Sequence, residues 1–208
     1  MTAADLTFVE TPHGYHLPDG RRVPSVTEIL RAVGVSEDFA HANPEDLEFR
    51  RQLGTEVHRM AHAFDDDDVD WDTVDPRVRP YLDAWAAWRI NAGAMPVQRE
   101  RRVFHPGYFY AGTLDGIFEL ANGTRILCDI KSSDLVNYAS NLQVAAYEMA
   151  WQLEHRGERI DERWIVHLTP NCAVPYRVIN CSAEPTAWMD GRRFLACVTV
   201  FHLQGGRR

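Results

Sequence analysis

The stretch Gly112–Lys131 constrains this chain more than any other. It reads Gly-Thr-Leu-Asp-Gly-Ile-Phe-Glu-Leu, then Ala-Asn-Gly-Thr, then Arg-Ile-Leu-Cys-Asp-Ile-Lys. Two runs with strand character flank Asn122-Gly123, a dipeptide that turns hairpins because both residues tolerate left-handed backbone. Strand side chains alternate, so Asp129 and Lys131, two apart, leave the same face. Pairing across the hairpin brings Asp115 beside Asp129. Two carboxylates and an ammonium then converge at one end of a short sheet. Such a group suits a hard divalent cation and a water held for attack on phosphate.

Composition singles out one member of that group. Of the 22 basic residues, 21 are arginine and one, Lys131, is lysine. Arginine replaces lysine everywhere except in Asp-Ile-Lys, where a compact ammonium can do what a guanidinium does poorly. The net charge of −8 argues against indiscriminate, tight nucleic-acid binding, though not against a locally basic cleft. Part of the acidity is the run Asp65 to Asp68 with Asp70, read as a solvated loop after a helix. That run lacks the spaced oxygens and glycine of an EF-hand.

The 208 residues are enough for one domain with a real core. No run approaches the roughly 20 apolar residues of a membrane helix. Met1-Thr2-Ala3-Ala4-Asp5 carries no signal-peptide pattern, and a cytoplasmic location is expected. Cys128, Cys172, Cys181 and Cys197 are scattered without a Cys-x-x-Cys pair and read as buried thiols.

In chain order, residues 6–17 and 21–23 read as a hairpin turning at Pro18-Asp19-Gly20. Ser25 with Glu28 forms a capping box for a short helix that Gly34 ends. Pro44 to Phe64 reads as a helix with Leu47, Leu53, Val57, Met60, Ala61 and Phe64 along a mostly apolar stripe. His58 and His62 share a face of it, and Gly54 inside it calls for a packing reason. A helix from Pro76 to Ala92 carries the core-type stripe Tyr81, Leu82, Trp85 and Trp88. Pro96 to Phe104 reads as a strand bearing Arg99, Glu100, Arg101 and Arg102, either solvated edge charge or a phosphate-facing patch. After the hairpin come a helix over Val136–Arg156 with Gln143 and Tyr147 on one side, strands Trp164–Leu168 and Pro175–Ile179, and a helix over Glu184–Leu203 that Gly191 could break. The expected fold is α/β (α+β), a small central mixed sheet flanked by helices. One domain spans 1–208, its core at about 44–180, with an amino-terminal hairpin and a carboxyl-terminal helix added.

Four motifs in order carry a family resemblance: Gly-x-x-x-His (Gly54 to His58), Gly-Thr-Leu-Asp-Gly, Asp-Ile-Lys, and Gln-x-x-x-Tyr (Gln143 to Tyr147). Together they resemble the RecB-type, phage exonuclease-like branch of the PD-(D/E)XK nuclease superfamily, over about residues 23 to 150. Val23-Pro24-Ser25-Val26-Thr27-Glu28-Ile29-Leu30 also looks like the lead-in of phage members. The resemblance implies a restriction-endonuclease-like core. It makes Asp115 and Asp129 metal-binding carboxylates, with the Ile130 carbonyl and His58 as further ligands. Lys131 would orient or deprotonate the attacking water, and Gln143 and Tyr147 would support the site or the nucleic-acid strand. Glu100 becomes an accessory candidate. Ser132 and Ser133 could bond phosphate or only cap the strand exit.

The expected activity is therefore a Mg²⁺- or Mn²⁺-dependent deoxyribonuclease using one or two ions, an exonuclease of phage-type DNA recombination, repair or processing in a bacterial or phage-infected cell. DNA is the partner, and no membrane is expected. The cysteine spacing does not match that of iron–sulphur members, so no cluster is expected. No Walker-type loop is present, so a helicase or recombination partner would be a separate chain. Two alternatives stay open: a catalytically inactive nucleic-acid-binding or assembly module of the same fold, and a phosphoesterase acting on nucleotides.

Overall fold

Gly112–Lys131 lies at the centre of a five-stranded sheet. A computed structural model describes residues 2–10, 13–36, 43–133, 135–183 and 185–205. In chain order they form β1 (Thr7–Glu10), β2 (His13–His16), β3 (Arg22–Val23), α1 (Val26–Ala32), α2 (Pro44–Asp65), α3 (Arg79–Ala92), β4 (Met95–His105), β5 (Tyr110–Glu119), β6 (Arg125–Lys131), α4 (Ala139–Glu154), β7 (Glu162–Leu168), β8 (Tyr176–Asn180) and α5 (Asp190–Gly205). Strands β4 to β8 lie side by side in sequence order, and β1 to β3 make a separate small sheet. All neighbours are antiparallel except β6 and β7. A parallel pair needs a crossover, and α4 supplies it. The α/β class and the small mixed sheet flanked by helices are as expected.

Because β6 is central, both its faces are covered, and its apolar run is nearly continuous. Ile126, Cys128 and Ile130 pack with Val57, Met60 and Ala61 of α2 and with Leu82, Trp85 and Trp88 of α3. On the other face Leu127 joins Leu114, Ile117, Ile29 of α1, Leu142 and Ala146 of α4, and Phe194 of α5. By the same alternation Asp129 and Lys131 point toward α4. The Trp85 and Trp88 rings lie 4.5 Å apart with Phe118 edge-on to both, so the aromatic stripe is core.

Several expectations need correcting. Residues 6–17 form two strands, β1 and β2, antiparallel to each other; the connection at 11–12 lies outside the described residues. The β5–β6 connection is a loop over 120–124, longer than a two-residue turn. Gly123 there has φ +81°, and Asn122 Oδ1 accepts from the Thr124 amide at 3.0 Å. Helix α3 starts at Arg79 because Asp75 Oδ1 takes the Arg77 amide at 2.8 Å and holds a turn first. The last helical segment is split into a 3-10 turn at Ala187–Met189 and α5. Gly191 does not break α5: a Cβ there would come 2.8 Å from Met149 Sδ, so the glycine lets α5 approach α4. Glu184 lies outside the described residues. Asp65 is no part of a solvated loop; it ends α2 buried, bonded to Arg89 at 2.7 Å and Trp85 Nε1 at 3.2 Å. Cys172 is exposed and Cys197 half-buried, so only Cys128 and Cys181 are buried thiols. Among the described residues no helix is long and apolar enough to cross a membrane.

Candidate active site

Strands β5 and β6 pair from Glu119↔Arg125 to Gly116↔Cys128 and no further. The next residues on that register are Asp115 and Asp129. Where the ladder stops, Asp115 Oδ2 accepts the Ile130 amide at 2.7 Å. A side-chain carboxylate therefore satisfies a backbone donor that the strand has lost, which fixes Asp115 against β6. It also leaves Oδ1 free to meet His58 of α2, whose Nδ1 lies 3.3 Å away.

Asp129 is almost sealed, with 2% of its side chain exposed, and Lys131 Nζ sits 2.8 Å from its Oδ2. Gln143 of α4 ties the two together. Its Nε2 donates to Asp129 Oδ1 at 3.0 Å, and its Oε1 accepts from Lys131 Nζ at 3.1 Å. Tyr147, one turn further on, lies 3.1 Å from Gln143 Nε2 through its hydroxyl. The Tyr147 ring lies on β5, where a Cβ at Gly112 would come 2.4 Å from its Cε1. That glycine is what lets the tyrosine, and through it Gln143, lie over the carboxylates.

Two carboxylates here share one lysine. Burial pushes the Asp115 carboxyl up, but His58, Lys131 and the Ile130 amide outweigh it and hold it down at about 2. Burial raises the Asp129 carboxyl above the ordinary range, and the charge on Asp115 adds to this against the pull of Lys131. Burial works against the Lys131 ammonium, yet Asp129 and Asp115 together push its pKa up. Lys131 is therefore held as a cation. His58 is raised as well, because the nearby Asp115 charge overcomes burial.

The residues present fit a divalent cation. The two carboxylates carry one charge more than the lysine offsets, and a bound cation neutralises such a surplus. His58, His62 and Asp115 each offer a ligand atom, all within 4.8 Å of one another. Neither ring nitrogen of His62 makes a hydrogen bond; Nε2 has only the Glu100 carboxylate at 3.4 Å, and a metal would satisfy either nitrogen.

Of the expected site residues, the fold brings together His58, Asp115, Asp129, Lys131, Gln143 and Tyr147. Ile130 enters through its amide on Asp115. Glu100 lies beside His62, its Oε1 3.4 Å from Nε2, and touches neither aspartate among the described contacts. Ser132 lies where α2 passes the end of β6: a Cβ on Gly54 would sit 3.6 Å from its hydroxyl. The Ser133 hydroxyl donates to the Leu135 carbonyl at 2.8 Å and so shapes the strand exit. Two residues emerge that the motifs did not assign. His62 carries only its i,i+4 relation to His58 as a signal. His167, opposite Lys131 in the parallel register, bonds the Ser133 carbonyl through Nε2 at 2.7 Å. Nothing in the sequence marks it, because its partner comes from the other strand of a non-local pair.

No family model and no curated protein matches the sequence. Among solved structures, the chain is similar to a "Putative exonuclease" from Eubacterium rectale. The identity is 12%, over 84% of this chain and 74% of that one, with a TM-score of 0.44. It is also similar to the protein SSO0001 at 17% identity, over 72% of this chain and 74% of that one, with a TM-score of 0.37. Likeness this slight transfers no activity, and the functional reading rests on the site itself.

Proposed function

We propose that this protein is a Mg²⁺- or Mn²⁺-dependent deoxyribonuclease of the RecB-type PD-(D/E)XK kind, an exonuclease of phage-type recombination, repair or processing. The observation that carries the reading is the convergence of Asp115, Asp129 and Lys131 where the β5–β6 ladder ends, with Gln143 bridging the last two. Asp115, Asp129 and His58 would hold an ion, which would supply Lewis acidity and lower the pKa of a bound water. The chain's own residues do the rest. Gln143 orients Asp129 and Lys131 through one hydrogen bond to each. The Lys131 ammonium is a charge positioned where negative charge builds on the phosphate, so it acts as an electrostatic clamp. Asp115 is tied to the Ile130 amide through Oδ2, so its Oδ1, beside His58 Nδ1, is the oxygen that would face an ion.

Linear, nicked and circular duplex DNA, each with Mg²⁺, Mn²⁺ or EDTA, test this reading. The expected result is metal-dependent loss of linear DNA, abolished in Asp129→Ala, with closed circles untouched. Cutting of closed circles would remove the exonuclease assignment. Binding without product under every condition would favour the inactive binding module instead.

A further inference from the structure

The part of this pocket that the nuclease reading does not use is His62. It follows His58 by four residues on α2, so the two imidazoles stack on one face of the helix. His62 is nearly closed off, with 11% of its side chain exposed, and both of its ring nitrogens are buried without a hydrogen bond. Nε2 meets only the Glu100 carboxylate, at 3.4 Å and outside hydrogen-bond geometry, and Nδ1 has no hydrogen bond; a buried imidazole so poorly satisfied is costly unless a further partner belongs there. His58 Nδ1 by contrast already meets Asp115. One ligand atom each from His58, His62 and Asp115 lies within 4.8 Å of the other two, close enough for all three to reach a common ion.

Glu100 supports the same place. Its backbone has φ +44°, a left-handed conformation that costs a non-glycine residue of order 1 kcal/mol or more. It sits on β4 between register pairs Arg99↔Gly116 and Arg101↔Leu114, which puts it across from Asp115. Its carboxylate lies 3.4 Å from His62 Nε2 and is largely exposed, so it can swing onto an ion without being unpacked.

Two imidazoles and a carboxylate are a borderline-soft donor set. Mg²⁺ takes oxygen ligands and keeps its waters, whereas imidazole suits first-row transition ions. We propose that His62 is a metal ligand which, with His58 and Asp115 and with Glu100 as an outer oxygen, biases this pocket toward a divalent first-row transition ion over Mg²⁺. This deepens the nuclease reading and rests on it for the role of the ion, though the binding itself can be measured without DNA.

The probes are Mn²⁺, Co²⁺ and Mg²⁺ on the full chain. Free Mn²⁺ is followed by its electron paramagnetic resonance signal, and Mg²⁺ competes for the site. Wild type is expected to hold Mn²⁺ at least about tenfold more tightly than Mg²⁺. In His62→Gln the Mn²⁺ and Co²⁺ affinities fall about 10- to 100-fold, while Mg²⁺ binding changes far less. In wild type, substoichiometric Mn²⁺ should broaden the His58 and His62 ring resonances together, which places the ion at this face of α2, and the affinity loss in His62→Gln reports the contact itself. Equal Mn²⁺ affinity in wild type and His62→Gln, or His62 resonances left sharp, overturns the proposal. The two readings fail separately. If His62 binds Mn²⁺ but no DNA is cut, the nuclease reading falls and the metal assignment stands. If DNA is cut with Mg²⁺ and His62 ignores Mn²⁺, the reverse holds.

Discussion

Asp65 and Asp129 are both nearly sealed from water, at 1% and 2% side-chain exposure, and each has a cation within 2.8 Å. Their surroundings differ in stoichiometry. Asp65 faces one Arg89, which also donates to the Ala94 carbonyl at 2.8 Å, and Trp85 Nε1 bonds the same Asp65 oxygen. Arg99 adds a bond to the Asp65 main-chain carbonyl at 3.0 Å, and Asp65 Oδ2 is buried without a hydrogen bond. Asp129 shares its single lysine with Asp115, and the Gln143 amide bridges Asp129 and Lys131. The first arrangement gives one buried acid a buried base of its own. The second keeps a negative surplus beside two histidines. Burial of charge alone therefore does not single out a site; what distinguishes the candidate is two acids sharing one lysine at the open end of a ladder.

The comparison breaks if the two acids behave alike on mutation. Lys131→Ala and Asp129→Ala should each lower DNA cleavage by about 10²- to 10³-fold or more, and Lys131→Arg should not restore it, since a planar fork cannot take the place of a point charge. Single-turnover cleavage of end-labelled DNA measures this. Asp65→Ala should leave the turnover of folded protein unchanged yet lose about 3–5 kcal/mol of stability, because Arg89 is left buried and unpaired. Urea unfolding reads that loss, and Asp65→Leu combined with Arg89→Met should recover much of it. Acid sharpens the contrast. Burial lifts the Asp65 carboxyl to about 6 from an ordinary 3.8, so between those values the folded state holds a proton that the unfolded state releases. Its contribution thus grows as pH falls through about 6, and Asp65→Asn should flatten that slope. Asp115, held at about 2, works oppositely: its stabilisation is full above 3.8 and lost as pH falls through about 2.

Much of the open site was legible because its parts are local. Asp129 and Lys131 are two apart on one strand, Gln143 and Tyr147 four apart on one helix, and the hairpin brings in Asp115. The strand and helix periods therefore carry the geometry. The lone lysine added a compositional signal that packing could not. What stayed hidden is non-local. Asp65 read as one of a run of exposed aspartates, since its partner Arg89 lies on the next helix. His62 and Glu100 meet only because α2 passes over the bulged β4, and the left-handed backbone at Glu100 has no sequence mark. Helix boundaries moved by a few residues where side-chain turns such as Asp75 with Arg77 act first.

The metal tests the same contrast from the ligand side. Binding to the folded chain alone stabilises it by RT ln(1 + [L]/Kd), about 2.7 kcal/mol at a hundredfold excess over Kd. Saturating Mn²⁺ should therefore raise the melting temperature of wild type and of Asp65→Ala alike. Asp115→Ala should show little shift, and EDTA should reverse the gain in the others. A shift of full size in Asp115→Ala would mean the ion binds elsewhere.

The smallest effect separates support from structure within the site. A Cβ at residue 112 would sit 2.4 Å from Tyr147 Cε1, so Gly112→Ala must displace the ring or the strand. Overpacking of this kind costs about 1–3 kcal/mol. The ring's hydroxyl bonds Gln143, which holds Asp129 and Lys131, so cleavage should fall together with stability. Gly112→Ala with Tyr147→Leu removes the clash and also the hydroxyl. If Tyr147 serves the site through Gln143, the double variant should regain stability in urea but not the rate. If the rate returns with stability, Tyr147 only fills space, and the open charge set needs no support from α4 beyond Gln143 itself.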